Sequence, residues 1–172
     1  MEYFDLYTEN RQPTGKRILR GEQIPQDCFH IVVHVCIFNS RGEMLIQQRQ
    51  PFKAGWPDMW DVTVGGSAVS GEASRAAAER EVCEEIGLPL SLEGERPKLT
   101  VHFDCGFDDI YTVIKDIDIS SLTLQYEEVK AVKWASEAEI LSMIESGVFI
   151  PYHKQLIGLL FCMRNHRGTF LS

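Results

Sequence analysis

Cysteine is sparse and unpaired in this chain of 172 residues: positions 28, 36, 83, 105 and 162, an odd number with no Cys-x-x-Cys spacing. That argues against a disulfide framework and against a structural zinc site. Long apolar runs are missing too, and none approaches the roughly 20 residues that a membrane-spanning helix needs. The opening Met1-Glu2-Tyr3-Phe4-Asp5 lacks the charged-then-apolar pattern of a secretory leader. A reduced, cytoplasmic setting without a membrane partner is the expectation. Positive charge is also short, with 17 Lys and Arg against 25 Asp and Glu, a net charge of −8. Such a surface repels a nucleic-acid polymer. Nucleotides stay open as ligands, because a bound divalent ion reverses the local sign. No repeat or low-complexity linker appears, so residues 1–172 are expected to form one domain that buries about 70% of its unfolded surface.

What is present alternates between strand and helix. Phe4 to Tyr7 and Lys16 to Arg20 read as strands around a turn that includes Asn10 and Gly15. His30 to Phe38 is β-rich, Asn39 to Gly42 is a turn, and Met44 to Arg49 returns as a second strand. A loop over Pro51 to Pro57 precedes a short strand, Trp60 to Val64. Leu99 to Phe107 and Ile110 to Ile117 suggest a hairpin turning at Asp108-Asp109, and Val129 to Ala135 alternates as a half-buried strand. Ser136 and Glu139 have capping-box spacing and open a helix ending near Gly147, and a last helix runs from about His153 to Met163. Strands flanking helices in this order predict an α/β layered domain with a mixed sheet.

One helix carries chemistry. Glu81, Glu84 and Glu85 stand at i, i+3 and i+4, which places three like charges along one side of a helix. A cation among them relieves the repulsion, and an all-oxygen donor set points to Mg²⁺ or Mn²⁺. Ser74 is placed to cap this helix, Ala76 to Ala78 favour it, and Gly87 suits a left-handed end. Val82, Cys83 and Ile86 are expected to face the core, with Cys36 as another small core residue, and Arg80 is one turn from Glu84. Gly65-Gly66 is expected to give a tight turn ahead of the helix, leaving a carbonyl free for a metal.

The full spacing from Gly66 to Leu88 is Gly66, five residues, Glu72, seven residues, Arg80-Glu81, an apolar residue, Cys83, Glu84-Glu85, Ile86, Gly87 and apolar Leu88. This resembles the box of the Nudix hydrolase family (the MutT-like proteins) at every fixed position. The resemblance implies an α/β/α sandwich with a mixed central sheet and a loop-helix metal site. It implies hydrolysis of a diphosphate bond in a nucleoside diphosphate linked to another moiety. Glu81 and Glu85 then ligate the metal with Glu84 beside them, the Gly66 carbonyl is a further ligand, and Glu72 and Arg80 orient the set. The family often takes its general base from a later loop, where Glu127-Glu128 stands. Glu128 thus joins Glu81 and Glu84 in the catalytic set. A homodimer is a further family-based expectation.

Arg49, Lys53, Trp56, Pro57 and Trp60 resemble the branch near the isopentenyl-diphosphate isomerases, where basic residues at the places of Arg49 and Lys53 hold the substrate diphosphate. The isomerase chemistry itself does not transfer. Gly65 stands where that enzyme needs a cysteine, Ser67 where it has a metal-binding histidine, and Gln23 where it has a second histidine. A sensor that binds a nucleotide without turnover is the other alternative, and such domains usually lose box carboxylates that are all present here. Substrate choice is expected to lie in the N-terminal hairpin and in residues 104–110. Phe29, Phe52, Trp56 and Phe107 are each able to stack on a base or to join the core, and His34, His102 and His153 are assigned packing or surface roles.

Overall fold

The computed structural model describes residues 1–166, 168 and 170. Its strands are β1 (Tyr3–Tyr7), β2 (Pro13–Leu19), β3 (His30–Phe38), β4 (Met44–Arg49), β5 (Trp60–Asp61), β6 (Val64–Ser67), β7 (Leu99–Phe103), β8 (Gly106–Ile114) and β9 (Val129–Ala135). Its helices are α1 (Ser74–Ile86), α2 (Glu137–Glu145) and α3 (Lys154–Met163).

β3 is the axis of the main sheet. It runs parallel to β8 over its whole length, antiparallel to β6 from Val32 to Val35, and meets β4 at Phe38. β4 in turn carries β5 and β9, and β7 edges β8, so the sheet is mixed. Because side chains alternate along a strand, Val33, Val35 and Ile37 pack with Val82 and Ile86 of α1. Cys36 and Phe38 point the other way, into a cluster with Ile140 of α2 and Ile157 and Leu160 of α3. The result is an α/β/α sandwich. β1 and β2 form a separate hairpin over a small core of Phe4, Leu6 and Ile18.

Several expectations change. The single strand over residues 60–64 is two strands. Thr63 turns its hydroxyl into the ladder, accepting from Ile37 N at 2.9 Å and donating to Leu45 O, and the chain changes partner there from β4 to β3. The hairpin between β7 and β8 turns at Asp104-Cys105, and Asp108 and Asp109 lie inside β8. Asp109 is fully buried against Arg11 and Thr100, while Asp108 holds His34. A polar pair that reads as a turn is thus paired inside the fold.

Ser74 is not the cap of α1. Ala73 takes that place without a side-chain bond, and the Ser74 hydroxyl lies 2.9 Å from that of Tyr111. Cys83 is exposed, not buried, while Cys36 is buried as expected. At 100° per residue, Val82 and Ile86 centre the inner face and Cys83 falls about 100° away from Val82. Gly87 closes the helix at φ +67, its N–H bonded to Cys83 O.

Candidate active site

The same wheel grades the three carboxylates. Glu85 lies about 60° from Val82, Glu81 about 100° and Glu84 about 160°. Glu85 is accordingly 5% exposed, the Glu81 side chain 14% and the Glu84 side chain 52%. They do not share one face equally; they fan from the core out to solvent.

Glu85 is the unusual member. Gln47 Nε2 donates to its Oε2 at 3.0 Å, and Gln47 Oε1 is buried without a hydrogen-bond partner. Burial pushes the Glu85 carboxyl up to about 8, against the lowering effect of the Gln47 bond. Burial also raises Glu81, opposed by Arg80 beside it.

Gly65 and Gly66 lie within strand β6, and neither has the positive φ of a tight turn. Their lack of a side chain serves close approach. A Cβ on Gly66 would stand 2.1 Å from Glu81 Oε1, and one on Gly65 would stand 2.7 Å from the His34 ring. Glu81 is thereby pressed against the Gly66 backbone.

Arg80 ties the loop to the helix. Its Nε and Nη2 donate to the two Glu72 oxygens at 2.8 and 3.0 Å, Nη1 donates to Glu84 at 3.0 Å, and Nη2 also reaches Ser67 O at 3.1 Å. Glu81 Oε1 lies 3.0 Å from Nη1. Glu72 further accepts from Val69 N at 3.1 Å. Burial would raise the Glu72 carboxyl, but the Arg80 and Val69 bonds outweigh it and hold it below the usual range.

These groups line one polar cavity of about 200 Å³, which brings together Glu81, Glu84, Glu85, Gly66 and Arg80 with Arg49, Lys53 and Glu128. Glu72 stands behind Arg80. Lys53 and Glu128 form an ion pair across the cavity edge. Arg49 donates through Nε to Gly55 O at 3.0 Å and lies 3.9 Å from Asp61. Asp61 also accepts from the Tyr152 hydroxyl at 2.8 Å, and His34 is 3.4 Å from that hydroxyl and 2.7 Å from Asp108. His34 is thus packed within a polar string that runs beneath β6.

Sequence reading missed Glu2, Arg20, Gln47 and Gln125. Arg20 and Glu2 pair at 2.6 Å, and they and Gln125 line the cavity. Nothing local marks them, since each gains its place through the N-terminal hairpin, strand β4 or the loop before β9.

The donor chemistry suits a hard divalent ion: three carboxylates, a backbone carbonyl and an orphaned amide oxygen are all oxygen. The cradle at Gly66 keeps one carboxylate against the backbone. Among the described residues no three acidic, histidine or cysteine side chains are closed into a ready cluster, and Arg80 bonds Glu72, Glu81 and Glu84 instead.

Fold and cavity together describe an α/β/α sandwich in which carboxylates and basic side chains meet in one polar cavity. The NUDIX domain model matches residues 29–153. An uncharacterised Nudix hydrolase of Listeria monocytogenes is 47% identical over 165 residues, covering 96% of both chains. An isopentenyl-diphosphate isomerase of Escherichia coli is 23% identical over 150 residues, covering 84% of this chain and 82% of its own. A crystal structure from Deinococcus radiodurans has the same fold, with a TM-score of 0.74 at 24% identity, covering 92% of this chain and 98% of that one. The chain belongs to the Nudix family, hydrolases that act on pyrophosphate bonds of small molecules and generally use divalent metals. Residues 1–28 lie ahead of the family match. Among the described residues no helix is long and apolar enough to cross a membrane.

Proposed function

We propose that this chain hydrolyses the diphosphate bond of a nucleoside diphosphate linked to another moiety, with Mg²⁺ or Mn²⁺ held by Glu81, Glu84, Glu85 and the Gly66 carbonyl. The observation that carries the reading is the single cavity in which the acidic helix faces Arg49, Lys53 and Glu128. Cations serve the substrate there and carboxylates serve the metal and the water. A bound divalent ion supplies charge neutralisation and a more acidic water.

The chain's own groups divide the remaining work. Arg49 and Lys53 hold the substrate's phosphate oxygens, and Arg49 is oriented by Gly55 O and Asp61. Lys53 leaves Glu128 for the substrate, which frees the Glu128 carboxylate to take the proton of the attacking water. A positioned base contributes about 10²–10⁴ in rate. Arg80 keeps Glu72 and Glu84 in place. Phosphoryl transfer asks for little more than this positioning and charge balance.

Proton shuttling on an allylic carbon finds no equivalent support. Position 65 has no thiol, and the Cys36 thiol is buried and driven far above its ordinary range by that burial. The test is phosphate or nucleotide release across a panel of diphosphate compounds with Mg²⁺ or Mn²⁺, comparing wild type with Glu84→Gln. Metal-dependent turnover by wild type alone is expected. Tight binding of one compound with turnover of none would replace hydrolysis by sensing.

A further inference from the structure

Large aromatic rings normally leave water, yet this chain keeps three in solvent in one region. Phe52 is 58% exposed, Trp56 49% and Tyr126 71%. By contrast, Phe107 is buried, and Phe29 packs against the core. Phe52 and Tyr126 meet with centroids 5.8 Å apart and planes tilted by 41°. They belong to the same two loops that the Lys53–Glu128 ion pair bridges. Phe52 precedes Lys53, and Tyr126 follows Gln125, and both of those neighbours line the charged cavity. The ring pair thus belongs to the two loops that bound the cavity, next in sequence to its lining residues and outside the lining itself.

The first of these loops is also strained. Trp56 and Asp58 have φ of +50 and +61, a region that residues other than glycine rarely occupy. Such conformations persist where surrounding contacts enforce them, and they concentrate at ligand clamps. Here Lys130 holds the Asp58 carboxylate at 2.6 Å, Gln48 holds the Asp58 carbonyl at 3.0 Å, and Arg49 holds the Gly55 carbonyl at 3.0 Å. The loop that presents Phe52 is thus fixed by the strand that presents Arg49.

We propose that Phe52 and Tyr126 form a stacking platform for the base of a nucleotide whose diphosphate lies in the cavity. This deepens the proposed function and rests on it for the diphosphate end. The ligand must be polarised, strongly anionic at Arg49 and Lys53 and flat and apolar at the ring pair. An aliphatic chain gains most from an enclosed pocket, whereas this platform is open. A base gains from a single ring face and needs no hydrogen-bond code there. The platform accordingly selects for a nucleoside without selecting strongly among bases.

The experiment measures equilibrium binding by calorimetry, with Mg²⁺ present, of ADP, inorganic pyrophosphate and geranyl diphosphate. The proteins are wild type, the Phe52→Ala/Tyr126→Ala pair, and the conservative Phe52→Tyr/Tyr126→Phe pair. Because both rings are exposed, the variants are expected to fold, which circular dichroism verifies. The alanine pair should weaken ADP by about five- to a hundredfold, the range set by losing base stacking. Pyrophosphate affinity should stay unchanged, and the conservative pair should retain ADP. The proposal is overturned if wild type holds ADP no more tightly than pyrophosphate. It is equally overturned if the alanine pair leaves ADP unaffected, weakens all ligands alike, or weakens only geranyl diphosphate. Binding is read without turnover, so a failure to hydrolyse any compound would remove the proposed function while leaving this result to stand by itself.

Discussion

Replacing Gly66 by alanine separates the chemistry of the site from the stability of the fold. The new Cβ would stand 2.1 Å from Glu81 Oε1, 2.2 Å from Cδ and 2.8 Å from Cγ. Ordinary contact starts near 3.4 Å, so the carboxylate must retreat by about 1.3 Å. Glu81 ends a flexible side chain, and its retreat should cost the fold only about 1 kcal/mol. The site should suffer far more. A displacement of about 1 Å in a reacting constellation lowers rate by roughly 10²-fold, and a disturbed ligand set loses about 10–100-fold in metal affinity. The neighbouring Gly65→Ala supplies the contrast. Its Cβ would meet the His34 ring at 2.7 and 2.8 Å, and that ring is held by Asp108 and lies beside the Tyr152 hydroxyl. A trapped ring cannot step aside, so the expected cost is about 1–3 kcal/mol of stability with little change in metal affinity. Steady-state kinetics, Mn²⁺ titration and urea denaturation of both variants decide the matter. Near-normal kcat/KM in Gly66→Ala, or a loss of stability equal to that of Gly65→Ala, would refute the reasoning.

Asp109→Asn should destabilise the fold by about 1–3 kcal/mol at neutral pH, because it takes the buried charged partner from Arg11, a cation exposed enough for water to make up part of the loss. Burial pulls the Asp109 carboxyl upward, but Arg11, with the Ser74 and Thr100 hydroxyls, outweighs it and holds it below its ordinary range. Its contribution is therefore present above the unfolded value near 3.9 and lost as pH falls through the lower folded value. Denaturation midpoints from about pH 3 to pH 7 should show a flatter acid limb in the variant. Tyr152→Phe removes a hydroxyl donor from buried Asp61 and should cost about 1.5–3 kcal/mol, measured by urea titration. The same change loosens the orientation of Arg49, so KM for a diphosphate substrate should rise with little change in kcat. Arg80→Lys cannot keep a two-pronged bond to Glu72 while also reaching Glu84 and Ser67 O. It should lower kcat/KM by about 10–100-fold, which kinetics at saturating Mg²⁺ will check.

The acidic helix was legible because its signals are local. Periodicity, a terminal glycine and fixed spacing all act within a few turns, and strands β3, β4 and β9 have the bounds that their patterns suggest. The misreadings share the opposite property. Asp108 and Asp109 looked like a turn because their partners, His34 and Arg11, lie 74 and 98 residues away. Gly65 and Gly66 looked like a bend because the side chains they make room for belong to another strand and to the helix. Thr63 gave no hint that its hydroxyl replaces backbone partners on two different strands. Arg20 and Glu2 reach the cavity through the path of a hairpin that packs on its own small core. Residue type names the chemistry a side chain can do, and only the tertiary path decides where it does it.

The β1–β2 hairpin precedes the segment that matches the family, yet it contributes Glu2 and Arg20 to the wall of the cavity. It is moored to the loop before α1 by Tyr3 O accepting from Ser70 N at 2.7 Å and by Asp5 accepting from Ser70 Oγ and Gly71 N at 2.6 and 2.8 Å. The cavity wall is therefore built from two pieces, an inner helix-bearing layer and an outer collar fastened to it by a handful of hydrogen bonds. Exchanging the collar would remake the cavity wall at Glu2 and Arg20 alone, and leave the helix that carries Glu81, Glu84 and Glu85 as it is.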